Sequence, residues 1–198
     1  MSEISEPHAD ALNSSLEAAT LIPTTPDLDP AALLKDISLK IEKLEGRQRQ
    51  IQAQINLPYT MEQVWQVLTD YESLAEFVPN LVKSQRLNHP EGKIRIEQIG
   101  VQNALFLNFS ARVVLDMEEN FPHALRFQMV EGDFKDFSGC WNLQQWLHSK
   151  TPGTRLTYTL IIWPKRTMPV IAIERRLGSD LPYNLLAIRK RLDEISAC

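Results

Sequence analysis

The sequence predicts an α+β fold: a curved antiparallel sheet wrapped around one long C-terminal helix, with two short helices inserted after the first core strand. Three observations carry this expectation. Apolar residues alternate with a period of two through most of residues 47–163. That alternation is interrupted by a 3.6-residue period between Met61 and Val78, and the 3.6 period returns at Pro169 and then persists almost to the C-terminus.

The chain has 198 residues, of which 43% are hydrophobic and 23% charged, which fits one globular domain with additional segments. No apolar run approaches the ~20 residues that cross a bilayer, and the N-terminus has neither the basic start nor the apolar core of an export signal. The expectation is an intracellular, cytoplasmic protein, peripheral at a membrane at most. Cys140 and Cys198 are the only cysteines; a structural disulfide and a thiolate metal cluster are both disfavoured. Residues 1–30 contain six acids and no Lys or Arg, leaving 21 basic against 19 acidic residues in the remainder. Basic charge gathers between Lys165 and Arg191.

Residues 1–30 are rich in Ser, Thr, Pro, Ala and acids, and lack sustained periodicity. They are expected to form a disordered acidic tail, because they cannot bury enough surface to offset their ordering entropy. Residues 31–46 are an N-terminal extension: Ile37, Leu39 and Ile41 alternate as in an added strand, although Leu34, Ile37, Ile41 and Leu44 also fit a helix. The main domain is expected over 47–198. Its first strand places Arg47, Arg49, Ile51, Ala53 and Ile55 on one side.

Thr60 and Gln63 have the spacing of a capping box, with Tyr59 and Val64 placed as a staple, so a helix starts at Met61. Its face of Met61, Val64, Trp65 and Leu68 needs a partner. Asp70 is the expected cap of a second helix carrying Tyr71, Leu74, Ala75 and Val78, stopped by Pro79. Helices this short are not stable alone and must lie on a sheet.

Strands follow at about 82–88 and 93–99 around the turn His89-Pro90-Glu91-Gly92, and a third runs over about 103–118. Further strands carry Leu125, Phe127 and Met129, then Phe137, Gly139, Trp141 and Leu143, then Leu156, Tyr158, Leu160 and Ile162. Short turns between them imply an antiparallel meander. The final helix, about 169–195, keeps Val170, Ile173, Leu177, Leu181, Leu185, Ile188, Leu192 and Ile195 on one face, with Pro182 inside it.

This order of elements is that of the helix-grip fold. VWQVLTDYESLAEFVPNL (Val64–Leu81), EGDFKDFSGCW (Glu131–Trp141), WPKRTMP (Trp163–Pro169) and DLPYNLLAIRKRL (Asp180–Leu192) resemble the START-like (SRPBCC) superfamily. Within it, they resemble the polyketide cyclase/dehydrase and coenzyme Q-binding branch of cyanobacterial and chloroplast type. The resemblance covers about residues 47–195. It implies an apolar cavity between sheet and helix for a lipid, isoprenoid or polycyclic ligand, although one fold hosts many functions.

Given such a cavity, Trp65, Phe109, Phe127, Gly139, Trp141, Tyr158, Leu177, Leu181 and Leu185 are its expected lining, with Gly139 leaving room beside Trp141. The ordinary alternative is that sheet and helix faces fill one another as a dry core. Glu131, Asp133, Lys135 and Asp136 form one dense charged cluster, read first as a solvated turn and second as acid/base chemistry. One of Glu97 and Gln98 is expected to face inward. His8, His89, His123 and His148 have no catalytic or metal-binding spacing; the three outside the tail flank turns, where solvated histidines are ordinary. No catalytic residue, metal or cofactor is expected, and no Gly-rich loop supports nucleotide chemistry. Lys165, Arg166, Arg175 and Arg176 are candidates for contact with anionic lipid; a nucleic-acid partner is disfavoured.

The function expected from these readings is a binding protein, carrier or chaperone, for an apolar ligand such as an isoprenoid quinone or other lipid. The alternatives are a cyclase or dehydratase acting on a polycyclic substrate in the same cavity, and a ribosome-associated interaction protein like the toxins that the same branch resembles.

Overall fold

A computed structural model describes residues 34–104, 107–148 and 151–197, and the side chains of all of these except 102–104, 107–109 and 148. The acidic tail, Cys198 and the side chain of Phe109 lie outside the described residues. Among the described residues, eight strands form one antiparallel sheet in the order β1-β2-β8-β7-β6-β5-β4-β3. They are β1 (Ser38–Lys43), β2 (Arg49–Leu57), β3 (Leu81–Leu87), β4 (Ile94–Ala104), β5 (Leu107–Asn120), β6 (Ala124–Gly132), β7 (Asp136–His148) and β8 (Thr151–Trp163). The first core strand thus pairs with the last, and β1 extends the sheet beyond β2 as an edge strand.

Among the described residues, three helices accompany the sheet: α1 (Met61–Thr69), α2 (Leu74–Phe77) and α3 (Val170–Ser196). The helix-grip architecture follows from where their apolar faces go. Strand β2 buries every second residue from Arg49 to Leu57, and α3 rests mainly on that strand. Leu181, Leu185, Ile188 and Leu192 are buried in one core with Ile51, Ala53, Ile55 and Leu57. Each of the leucine and isoleucine side chains contributes about 1.5–3 kcal/mol when fully buried.

The start of α1 forms as expected: the Gln63 amide donates to Thr60 Oγ1 at 3.3 Å, and the Thr60 amide donates to Gln63 Oε1 at 2.9 Å. The Tyr59 ring packs against the core that contains Val64, and its hydroxyl donates to Asp193 near the end of α3. The second helix is shorter than expected and is entered differently. Asp70 ends α1, Ser73 precedes α2 without a side-chain cap, and Tyr71 lies in the turn between them. The Asp70 carbonyl accepts from the Ser73 amide at 3.2 Å, so its backbone, not its carboxylate, organises the turn.

Strands β4 and β5 divide the expected 103–118 segment, because Asn103 and Ala104 pair back onto Asn108 and Leu107. Register shifts between Leu81 and Lys83 and between Val114 and Leu115 bend the sheet, as irregular pairing does. Asn80 enters β3 at φ 64°, a left-handed conformation that Asn tolerates, and its carbonyl accepts from the Val101 amide.

The N-terminal half of α3 is anchored by its own contacts. Arg49 Nε donates to Glu174 Oε2 at 2.5 Å, and Arg47 donates to the Lys165 and Met168 carbonyls. Gly178 lets Ile41 of β1 approach; a Cβ there would stand 2.8 Å from Ile41 Cδ1. The edge strand therefore fixes the height at which α3 crosses the sheet.

Candidate functional site

Where α3 leaves β2 and passes over the β4–β7 part of the sheet, the two faces do not meet. A cavity of about 600 Å³ remains between them, within the ~300–1,000 Å³ range of small-molecule sites. Its floor follows from strand alternation: Ala111, Val113, Leu115 and Met117 of β5 share one face, joined by Phe127 of β6 and Phe137 and Trp141 of β7. Tyr158 and Leu160 of β8 complete it. The roof is one stripe of α3, comprising Ile173, Arg176, Leu177, Asp180, Leu181, Asn184 and Ile188. The opening lies among Pro79, Asn80, Pro169 and Ala172, all exposed.

Most of this lining is carbon, and its aromatic rings are ordered. Trp141 and Tyr158 stack with centroids 3.8 Å apart, and Phe127 lies 5.8 Å from Phe137 and 6.2 Å from Tyr158. The polar groups are few. Arg176 Nε lies 3.2 Å from Asp180 Oδ2, one helical turn away, so the two charges neutralise each other. Gln98 Nε2 donates to Ser84 Oγ at 3.3 Å. Tyr71 donates to Glu119 at 2.6 Å; burial, then this carboxylate, push its pKa far above that of an ordinary phenol. Burial alone raises that of Tyr158. Both phenols are therefore neutral at physiological pH.

The dense charged cluster stands away from this cavity. Arg112 Nη1 donates to Glu131 at 2.5 Å, Asp133 accepts from the Arg112 amide at 2.7 Å, and Asp136 accepts from Gln128 at 2.7 Å. Lys135 Nζ sits 3.2 Å from the centre of the Trp163 ring. These are structural contacts.

The family model for polyketide cyclase/dehydrase and lipid transport matches residues 57–187. The chain belongs to that family. Its fold is shared with a STAR-related lipid transfer protein from Xanthomonas axonopodis, at 17% identity and TM-score 0.63, covering 80% of this chain and 94% of that one. A START superfamily protein from Mycobacterium smegmatis is similar at 13% identity and TM-score 0.61, covering 74% and 98%. The Zhui aromatase/cyclase from Streptomyces sp. R1128 is similar at 14% identity and TM-score 0.59, covering 74% and 94%. No curated protein matches the chain by sequence. At these identities the likeness shows the fold alone.

Of the side chains expected around a polyketide cyclase-family cavity, Phe127, Trp141, Tyr158, Leu177 and Leu181 do stand around this one. Three do not. Trp65 packs edge-on against Phe121, with centroids 5.5 Å apart; Leu68, three residues on, reaches the cavity instead. Leu185 is fully buried in the core on β2. Gly139 offers no ligand space, because the Phe127 ring and the Thr159 carbonyl occupy the position a Cβ would take.

Arg176, expected on a membrane-facing surface, lines the cavity and pairs with Asp180. Lys165, Arg166 and Arg175 are exposed. Gln98 is the inward member of its pair, whereas Glu97 is buried on the other face, accepting from Lys83, Gln85 and Arg112. His89 is buried rather than solvated, with Nε2 3.5 Å from Asp116. Sequence reasoning missed Asp180 and Asn184. Their signal was available: Arg176, Asp180 and Asn184 recur every four residues beside the leucine stripe.

Proposed function

We propose that this chain is a binding protein for an apolar small molecule or lipid, held in the cavity between sheet and α3, and that it acts as carrier or chaperone. The observation that carries the reading is the cavity itself: about 600 Å³, lined mainly by aliphatic and aromatic side chains. An isoprenoid quinone is the finer proposal. The flat Trp141–Tyr158 stack offers a ring a parallel surface, and the aliphatic residues toward the opening suit a prenyl tail.

Binding is favoured over catalysis by the state of the charged groups. The charged side chains lining the cavity among the described residues, Arg176 and Asp180, are paired with each other. A cyclase-type reaction is the second reading. It would require substrate entry to separate that pair, exposing a carboxylate base and a cation beside the ring pocket.

Delivery from a membrane belongs to the same proposal. The segment entering α3 carries exposed Lys165, Arg166 and Arg175 beside Ile171, which is 73% exposed, next to the cavity opening at Pro169 and Ala172. Each cation near an anionic surface contributes about 1 kcal/mol, which gives weak, salt-sensitive docking at the cytoplasmic face. Native mass spectrometry of the purified protein tests the central reading. A retained apolar molecule, released by organic solvent, is expected; the bare chain mass from every lipid-containing preparation would count against it.

A further inference from the structure

Among the described residues, β1 closes one side of the sheet: one of its edges pairs with β2, and the other meets no strand. Folded proteins ordinarily blunt such an edge with proline, a bulge, an unmatched charge or a covering helix. The opposite edge follows that rule, since α2 packs on β3 and a register shift interrupts its pairing. The β1 edge does not. Its pairing runs from Ser38 to Lys43 without a shift, it contains no proline, and Leu39, Ile41 and Leu44 are 43%, 38% and 39% exposed. Its central charge, Lys40, lies 2.7 Å from Glu42 of the same strand, so the two leave no net charge.

What fits this edge follows from the strand's own pattern. Leu39, Ile41 and Lys43 stand on the α3 side, opposite Ala53, Ile51 and Arg49; Ser38, Lys40 and Glu42 stand on the outer side, opposite Gln54, Gln52 and Gln50. A second copy of β1, antiparallel and related by a two-fold axis, keeps these faces together only if one residue opposes itself. Centred on Lys40 or on Glu42, the pair sets like charges against each other, which is unfavourable. Centred on Ile41, it sets Lys40 of each copy against Glu42 of the other, Leu39 against the aliphatic stem of Lys43, and Ile41 against Ile41. Such self-complementarity is what an isologous contact requires.

We propose that β1 is a homodimerisation edge, at which two copies of this chain pair antiparallel about Ile41 and join their sheets into one. The partner is a second copy because the same strand supplies both the apolar match and the charge match. Ile41 is also the residue that Gly178 admits against α3, so pairing covers the contact that seats the helix over the cavity. The inference does not depend on the ligand reading.

Sedimentation velocity of the full chain, over a concentration series from micromolar upward, tests this with charge variants. The parent should form a dimer. Lys40→Glu and Glu42→Lys should each bring like charges together on both sides of the two-fold axis and weaken association at least tenfold. Both should melt near the parent, because neither side chain is buried. An equimolar mixture of the two variants should restore the dimer, since each then meets the opposite charge on the other. A parent that stays monomeric to millimolar concentration overturns the inference, as does a dimer that neither substitution weakens. Two monomeric variants whose mixture stays monomeric overturn the register, and with it the assignment of this edge.

Discussion

Trp141 and Tyr158 face each other directly across β7 and β8, and their rings lie 3.8 Å apart and within 3° of parallel. Direct register makes this contact: on one face of an antiparallel pair, opposed residues are the closest neighbours. Among the described tryptophans, Trp141 is the one that lines the cavity. A short-chain quinone should therefore quench its emission specifically. We expect Trp141→Phe to lose most of the ligand-dependent quenching and Trp163→Phe to retain it, as measured by fluorescence titration. The reverse pattern would move the ligand to the other side of the sheet.

Gly139 is a packing requirement of this arrangement. The Phe127 ring and the Thr159 carbonyl stand where its Cβ would be, so Gly139→Ala must displace both of them. The backbone carbonyl cannot move cheaply. A destabilisation of about 1–3 kcal/mol is expected from such overpacking, read by urea or thermal unfolding. A variant as stable as the parent would contradict this close approach of β8 and the Phe127 ring to Gly139.

The sequence carried the fold because its signals were local and repeated. Alternation from Ile51 to Leu57 and from Leu156 to Ile162, and the helical face from Leu181 to Leu192, each determine their own element. The capping box at Thr60 was legible for the same reason. The site was less legible because it depends on how α3 is rotated and lifted. Leu177, Leu181 and Leu185 are equivalent by period, yet Leu185 turns onto β2 while Leu181 reaches the cavity. The rotation that separates them is held by Arg49–Glu174 and by Ile41 against Gly178, contacts more than a hundred residues apart in the chain. Gly139 misled for a related reason. A missing side chain signals a close neighbour as readily as open space, and only the register of β6 on β7 identifies that neighbour as Phe127.

Acid should weaken the far face of the sheet before the cavity. Hydrogen bonds from Lys83 and then Arg112 lower the pKa of Glu97, and a hydrogen bond from Arg95 lowers that of Asp116. A carboxylate with a depressed folded-state pKa contributes its full stability above its ordinary value, 4.5 for Glu97 and 3.8 for Asp116. That contribution is lost as pH falls through the lower folded-state value. The melting temperature should thus be level above about pH 5 and fall below it. Glu97→Gln should be less stable at neutral pH but show a shallower acid decline. Parallel pH profiles for parent and variant would contradict this assignment.

The central claim is that the space between β5 and α3 holds the ligand. Ala111 lies on the floor of that space, and a larger side chain there points into it without entering the core on β2. Calorimetric titration of Ala111→Phe with a short-chain quinone, alongside the parent and with thermal melts of both, is the most direct measurement. The account predicts a variant that melts near the parent and has lost at least tenfold in affinity, since the ring fills volume the ligand requires. A stable Ala111→Phe protein that binds the quinone as tightly as the parent would contradict it.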